Sequence, residues 1–293
     1  MYTHTYKISL KGPCNFDFTL QLNKNDTYND QLIQTLVIKN KIVVLFIKNI
    51  GSIEKPVIQF KIYSKHNVNI NDVKNHIDKI IGEDIDLRRF YKDIRHDKVL
   101  KEITKQLYGL QLVMKSDPFE SIMYAICEQQ LSYTVSVSIE QKIIKKFGRS
   151  IEINGKTLYT IPIAEDIAKN ATVAKLKSCG LSGTKAKSLL NIAKKIYKGD
   201  LDLDELRTYD TPTIIETLME LKGIGIWSAE YICIRGYGRY DTIMAEDSAL
   251  QKNVSKYYKI KNITVDKVNK LAQSWDEWKG LASFYLFMAG HFL

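Results

Sequence analysis

A Gly-Ile-Gly turn between two helical periods constrains this chain more than any other feature. Helical apolar spacing runs through residues 212–221, breaks at Lys222-Gly223, and resumes at Ile226. Two helices joined by so short a link must fold back as a helix–hairpin–helix. Gly223 and Gly225 let the backbone turn sharply and leave the hairpin amides uncovered. Those amides, with the positive end of the following helix, suit a phosphate. The same glycines also suit an ordinary helix–helix connection with a glycine cap.

Charge points the same way. Lys+Arg number 43 against 33 Asp+Glu, a net +10 that favours a polyanionic partner. The chain is also rich in Lys, Ile and Asn throughout, which equally reflects a biased base composition. Cys14, Cys127, Cys179 and Cys233 form no CxxC pair. Their scatter argues against a zinc site or a cysteine-held iron–sulfur cluster, and for a reducing compartment. The amino terminus lacks the apolar core of a signal peptide, and no apolar run nears the ~18 residues of a membrane span. A soluble, cytoplasmic protein without metal or cofactor is expected.

The chain divides by pattern into residues 1–85 and 86–293. The first part reads as an antiparallel sheet with one helix. Phe16, Phe18, Leu20 and Leu22 alternate as in a strand, residues 35–38 and 41–48 flank a turn at Asn40, and residues 56–63 form another strand. Residues 71–81 have helical spacing, capped by Asn71 or Asp72. From about Asp84 helical periods dominate, among them 118–147, 183–199, 212–221, 226–236, 248–257 and 275–291. Asp117-Pro118 and Thr211-Pro212 each place a cap residue before a proline in the first turn, with Ser116 an alternative entry residue for the first. Asn154-Gly155 is expected as a short excursion between helices.

Four pieces carry a resemblance: DPFESIMYAICEQQLS at 117–132, GIGIWSAEY at 223–231, RGYGRYDTIMAEDSAL at 235–250 and WDEWKGLASFYLFMA at 275–289. In this order they resemble the helix–hairpin–helix DNA glycosylase superfamily, most closely the bacterial 3-methyladenine DNA glycosylase II branch. The resemblance covers roughly residues 84–293. It implies an α+β protein: a small TBP-like antiparallel-sheet domain, then a mostly helical, two-lobed glycosylase region.

The family's essential carboxylate matches Asp247, with Glu246 a rival on the residues alone. Bifunctional members carry a lysine where this chain has Trp227, 20 positions before Asp247. The resemblance therefore implies base removal by water without strand scission. The chemistry agrees, since cleaving an N-glycosidic bond develops positive charge on the sugar that a carboxylate stabilises. Asp247 also suits a plain helix cap, and both roles are compatible.

A flipping enzyme needs a plug and a base pocket. By resemblance Gln130 or Leu131 enters the DNA minor groove, while Gln129 and Gln130 also suit a polar helix end. Trp227 and Tyr231 share a helix face, and Trp275 and Trp278 are expected to add a second wall. Rings attract cationic alkylpurines, though core packing is the ordinary fate of each. Ser182, Thr184 and Lys185, at a second glycine turn, and Lys222 are candidate phosphate contacts alongside Gly223 and Gly225. The expected partner is duplex DNA with a damaged base, bound by a monomer. The rivals are an oxidised-purine glycosylase/lyase and a non-catalytic DNA-binding module.

Overall fold

The computed structural model describes residues 2–23, 27–81, 85–153 and 155–293. Strand β1 (Tyr2–Ser9) precedes helix α1 (Phe16–Leu22), then β2 (Thr27–Tyr28), β3 (Gln31–Ile38), β4 (Lys41–Asn49) and β5 (Val57–Ser64). The strands form one sheet in the order β1-β5-β4-β3-β2. β1 and β5 run antiparallel, with Tyr2 opposite Ser64 and Ser9 opposite Val57. The β3–β4 turn is Lys39-Asn40, with φ of 46° and 64°. Two successive left-handed residues match the twist of the flanking strands, which is why Asn suits this place. Ile58, Phe60 and Ile62 alternate inward on β5. Helix α2 (Ile70–Ile81) buries Val73, Ile77 and Ile80. Its Lys74 ammonium lies 5.0 Å from the Tyr6 ring of β1.

Two expectations for this region need correction. Residues 16–22 form a helix, not a strand. Asn15 Oδ1 accepts from the Asp17 N–H at 3.2 Å, and this cap outweighs an alternation only seven residues long. The cap ahead of α2 lies before both expected residues, Asn71 and Asp72, since Asn69 Oδ1 accepts from the Asn71 N–H at 2.9 Å.

Helices α3 (Leu87–Asp93) and α4 (Lys98–Gln106) follow, capped by Asp86 and Asp97. Then come α5 (Pro118–Glu128), α6 (Tyr133–Phe147), strands β6 (Ser150–Ile153) and β7 (Lys156–Tyr159), α7 (Ala164–Asn170), α8 (Val173–Lys177) and α9 (Gly183–Lys198). Helix α10 (Thr211–Met219), α11 (Ile226–Ile232) and a wide π turn (Cys233–Tyr237) complete this stretch. The chain ends in α12 (Ser248–Tyr258), α13 (Val265–Ala272), a 3-10 stretch (Gln273–Trp278) and α14 (Lys279–Phe292).

The residues 118–147 thus form two helices, broken at Gln130, which takes a φ of 55°. The excursion expected around Asn154-Gly155 is the strand pair β6–β7, lying between α6 and α7; Asn154 itself lies outside the described residues, as does Asp84. α10 is capped by Asp210, whose Oδ1 accepts from the Thr213 N–H at 3.0 Å, not by Thr211. The last helix begins at Lys279, because Asp276 leaves helical geometry at φ 47°.

Two compact units emerge: residues 1–34, 43–114 and 239–293 in one, residues 35–42 and 115–238 in the other. They cut across the pattern change at 85/86. In the first, α14 packs with α4 and α12. In the second, α5 is central, with α6, α9 and α11 around it. The β3–β4 tip belongs to that second unit, where Thr35 Oγ1 donates to the Tyr159 carbonyl at 2.6 Å and Arg149 donates to the Asn40 carbonyl.

Candidate functional site

The hairpin between α10 and α11 is built from alternating anchors and exposed backbone. Leu221 and Ile224 point into the core, at 7% and 5% exposure, while Lys222, Gly223 and Gly225 face outward. Gly223 has φ +96°, and a Cβ there would stand 2.3 Å from Ser188 Oγ. Gly225 begins α11 without a side-chain cap, so the first N–H groups of that helix meet no side-chain acceptor at the cap. A Cβ at Gly225 would meet nothing within 4 Å. The hairpin therefore offers amides on an open side, the arrangement an anion requires.

A second turn, 129–132, is tied to this hairpin through Gln129. Its Nε2 donates to the Gly223 carbonyl at 2.8 Å and to Ser228 Oγ at 2.9 Å. The Gln129 carbonyl in turn accepts from Lys185 Nζ at 2.6 Å, as does the Cys127 carbonyl at 3.2 Å. Held from both sides, the chain turns through left-handed Gln130 and leaves Gln130 and Leu131 exposed, Leu131 at 42%. Next to them Tyr133 is 76% exposed, an unusual state for a ring. Gln129 as a tie and Tyr133 as an exposed ring were not singled out from the sequence.

Lys185, expected at a phosphate, has its ammonium on the carbonyl end of α5. Burial holds its pKa below the usual ammonium value. Ser182 caps α9, its Oγ accepting from the Lys185 N–H at 3.3 Å, and remains exposed, as does Thr184.

Trp227 and Tyr231, one turn apart on α11, stack at 5.7 Å between centroids and 28° between planes. Trp227 is half-buried. The Tyr231 hydroxyl donates to Glu128 Oε1 at 3.3 Å, and burial pushes its pKa far above the usual phenol value.

Trp275 and Trp278, expected to add a second wall, are packed side chains. Both lie in the core of the other unit, at 1% and 8% exposure. Trp275 Nε1 donates to Asp97 at 3.0 Å, and Trp278 Nε1 to Asp93 at 3.1 Å. Trp278 packs on Phe90 at 5.6 Å, with the Arg89 guanidinium 5.5 Å from its ring. Their faces are spent on packing, and the indole N–H groups are satisfied by Asp97, the cap of α4, and by Asp93 at the end of α3.

Asp247 is the N-cap of α12. Its Oδ1 accepts from the Ala249 and Leu250 N–H groups at 2.8 and 2.9 Å. Ile243, Met244 and Ala245 anchor the approach in the core, Glu246 is exposed, and Asp247 is half-buried. The two amides fix the carboxylate's orientation and stabilise its charge. All four cysteines are buried free thiols. No helix is long and apolar enough to cross a membrane among the described residues.

Residues 123–277 match the family of HhH-GPD superfamily base excision DNA repair proteins. Among solved structures, the chain is similar to the 3-methyladenine DNA glycosylase from Archaeoglobus fulgidus, with a TM-score of 0.85 and 25% identity over 98% of this chain and 99% of that one. The DNA-3-methyladenine glycosylase of Bacillus subtilis is 28% identical over 87% of this chain and 80% of its own length. DNA-3-methyladenine glycosylase 2 of Escherichia coli is 22% identical over 61% of this chain and 60% of its own. With a glycine hairpin, an aromatic pair behind it and a capping aspartate downstream, the chain belongs to the HhH-GPD superfamily of base excision DNA repair proteins.

Proposed function

We propose that this protein is a monofunctional DNA glycosylase that hydrolyses the N-glycosidic bond of alkylated purines of the 3-methyladenine and 7-methylguanine type. The observation that carries the reading is the stacked pair Trp227–Tyr231, set directly behind the open hairpin, with tryptophan and not lysine first. The names of the Bacillus subtilis and Archaeoglobus fulgidus relatives support the substrate class.

In this reading the protein acts as a monomer on duplex DNA in the cytoplasm. The amides of Gly223 and Gly225, with Lys222 beside them, hold a backbone phosphate. Gln130 or Leu131 fills the gap left when the damaged nucleotide is flipped out. The cationic base lies against the rings of Trp227 and Tyr231. As the C1′–N9 bond breaks, positive charge grows on the sugar and the Asp247 carboxylate stabilises it. Water adds to C1′, and Asp247 accepts its proton. No amine stands at Trp227 to form a Schiff base, so the strand stays intact.

The test is release of free base from methylated duplex DNA, followed by mild alkali. Release of 3-methyladenine or 7-methylguanine, with strand breaks only after alkali, supports the proposal. Breaks without alkali, or no release at stoichiometric protein, overturn it.

A further inference from the structure

The second unit buries more carboxyl groups than its aromatic pair needs. Glu128 ends α5 and accepts from the Tyr231 hydroxyl. Glu140 sits on the inward face of α6 with Ser136 and Ile143; it is 5% exposed, and its Oε1 is buried without a hydrogen-bond partner. Glu120 is already engaged, accepting from the Ser116 N–H at 2.8 Å and lying 3.6 Å from Lys115 Nζ.

The groups around Glu140 come from every neighbouring element. Glu120 and Glu128 lie on α5, Lys115 just before it, Tyr133 on α6 itself, and Tyr231 on α11. Among the described residues, three carboxyls thus face the single Lys115 ammonium. Lys115 is no strong counter-ion for Glu140, since its ammonium lies 3.4 Å from the Tyr124 ring and is bound up with Glu120. One carboxyl is better off neutral. Burial first, then the charge of Glu128, pushes the Glu140 acid up to about 7. Two coupled carboxyls hold such a proton jointly.

An alkylated purine is cationic and leaves without help. A neutral purine departs readily only if a proton reaches its ring as the C1′–N9 bond breaks. An acid beside the rings is superfluous for the first class and decisive for the second. Resting on the reading of Trp227–Tyr231 as the base site, we propose that Glu128 is the acid that protonates neutral purines such as hypoxanthine, with Glu140 as its proton-sharing partner. The proton moves from the Glu128 carboxyl to a purine ring nitrogen. The C1′–N9 electron pair goes to the base, and the water oxygen bonds to C1′. The water proton passes to Asp247, and solvent reprotonates the carboxyl pair. Glu128 is the catalytic residue of this step and Glu140 a positioning residue.

The test compares hypoxanthine release with 7-methylguanine release by the same protein between about pH 6 and 8.5. Taking the ratio cancels DNA binding and every step the two substrates share. It should fall about tenfold per pH unit above the break of the carboxyl pair. Glu140→Gln should move that break to lower pH and cut the ratio at pH 7 about tenfold, and Glu128→Gln should leave a low ratio without pH dependence. A merely structural role would alter both substrates alike and leave the break in place, which overturns the proposal. So does a flat ratio in the wild type while 7-methylguanine is still released. Absence of 7-methylguanine release overturns the glycosylase reading itself.

Discussion

Gly223→Ala tests the geometry on which the hairpin depends. Two costs are separable in the structure. An alanine at φ +96° is held in left-handed backbone, at about 1–2 kcal/mol. Its Cβ would also stand 2.3 Å from Ser188 Oγ and 2.8 Å from Ser188 Cβ, an overpacking cost of about 1–3 kcal/mol. Together they predict about 2–5 kcal/mol of destabilisation in urea unfolding. Removing the Ser188 side chain as well relieves only the second. Ser188→Gly alone should cost about 1 kcal/mol, as glycine inside a helix does. The double-mutant cycle over Gly223→Ala and Ser188→Gly should then show a favourable coupling of about 1–3 kcal/mol. Affinity for abasic duplex DNA, measured by titration, should stay weakened in the double variant, because the backbone strain persists. A Gly223→Ala protein within about 0.5 kcal/mol of wild type would refute the left-handed assignment, and zero coupling would refute the steric one.

Other expectations follow from the same structure. Asp247→Asn keeps a capping oxygen, so stability should change by under about 1 kcal/mol while base release is lost; undiminished release would remove Asp247 from the chemistry. Lys222→Ala should lower the salt dependence of DNA binding by about one charge, whereas Lys185→Met should leave that slope alone and lower stability instead. Glu140 titrates at about 7 in place of its ordinary 4.5, so the folded state bears a charging penalty that is absent below 4.5 and complete above 7. Glu140→Gln should therefore be more stable than wild type above pH 7, by at most about 3 kcal/mol, with the gap closing toward pH 4.5. Denaturant midpoints across this range decide it.

The parts of this protein that were legible in its sequence are those whose physics is local. Gly223 and Gly225 interrupt two helical periods that nothing else separates, and the Asp before a resumed apolar period at 248 caps a helix wherever it occurs. The Lys39-Asn40 turn is legible because few residues tolerate its backbone. What stayed hidden depends on partners far along the chain. The Gln130 turn carries no glycine or proline; its left-handed backbone is held by Lys185 and by the Gln129 bond to Gly223. Trp275 and Trp278 have the same type and spacing in a core as in a pocket, and only Asp97 and Asp93, brought from α4 and α3, decide between the two. In α1 a period-2 pattern over seven residues fits either element, and the Asn15 cap is a small signal beside four apolar side chains.

The Gln129 tie also bears on how damage is searched for. One side chain and one carbonyl lock the exposed turn at 130–131 to the hairpin and to the start of α9. A turn so fastened has its tip set before DNA arrives. On the proposed function, the deformation that inserts it comes from the duplex, by bending and unstacking, and not from a closing loop. Sites where the helix yields easily are opened first, so the search for lesions starts as a reading of local DNA stiffness, and chemistry sorts the bases only afterwards.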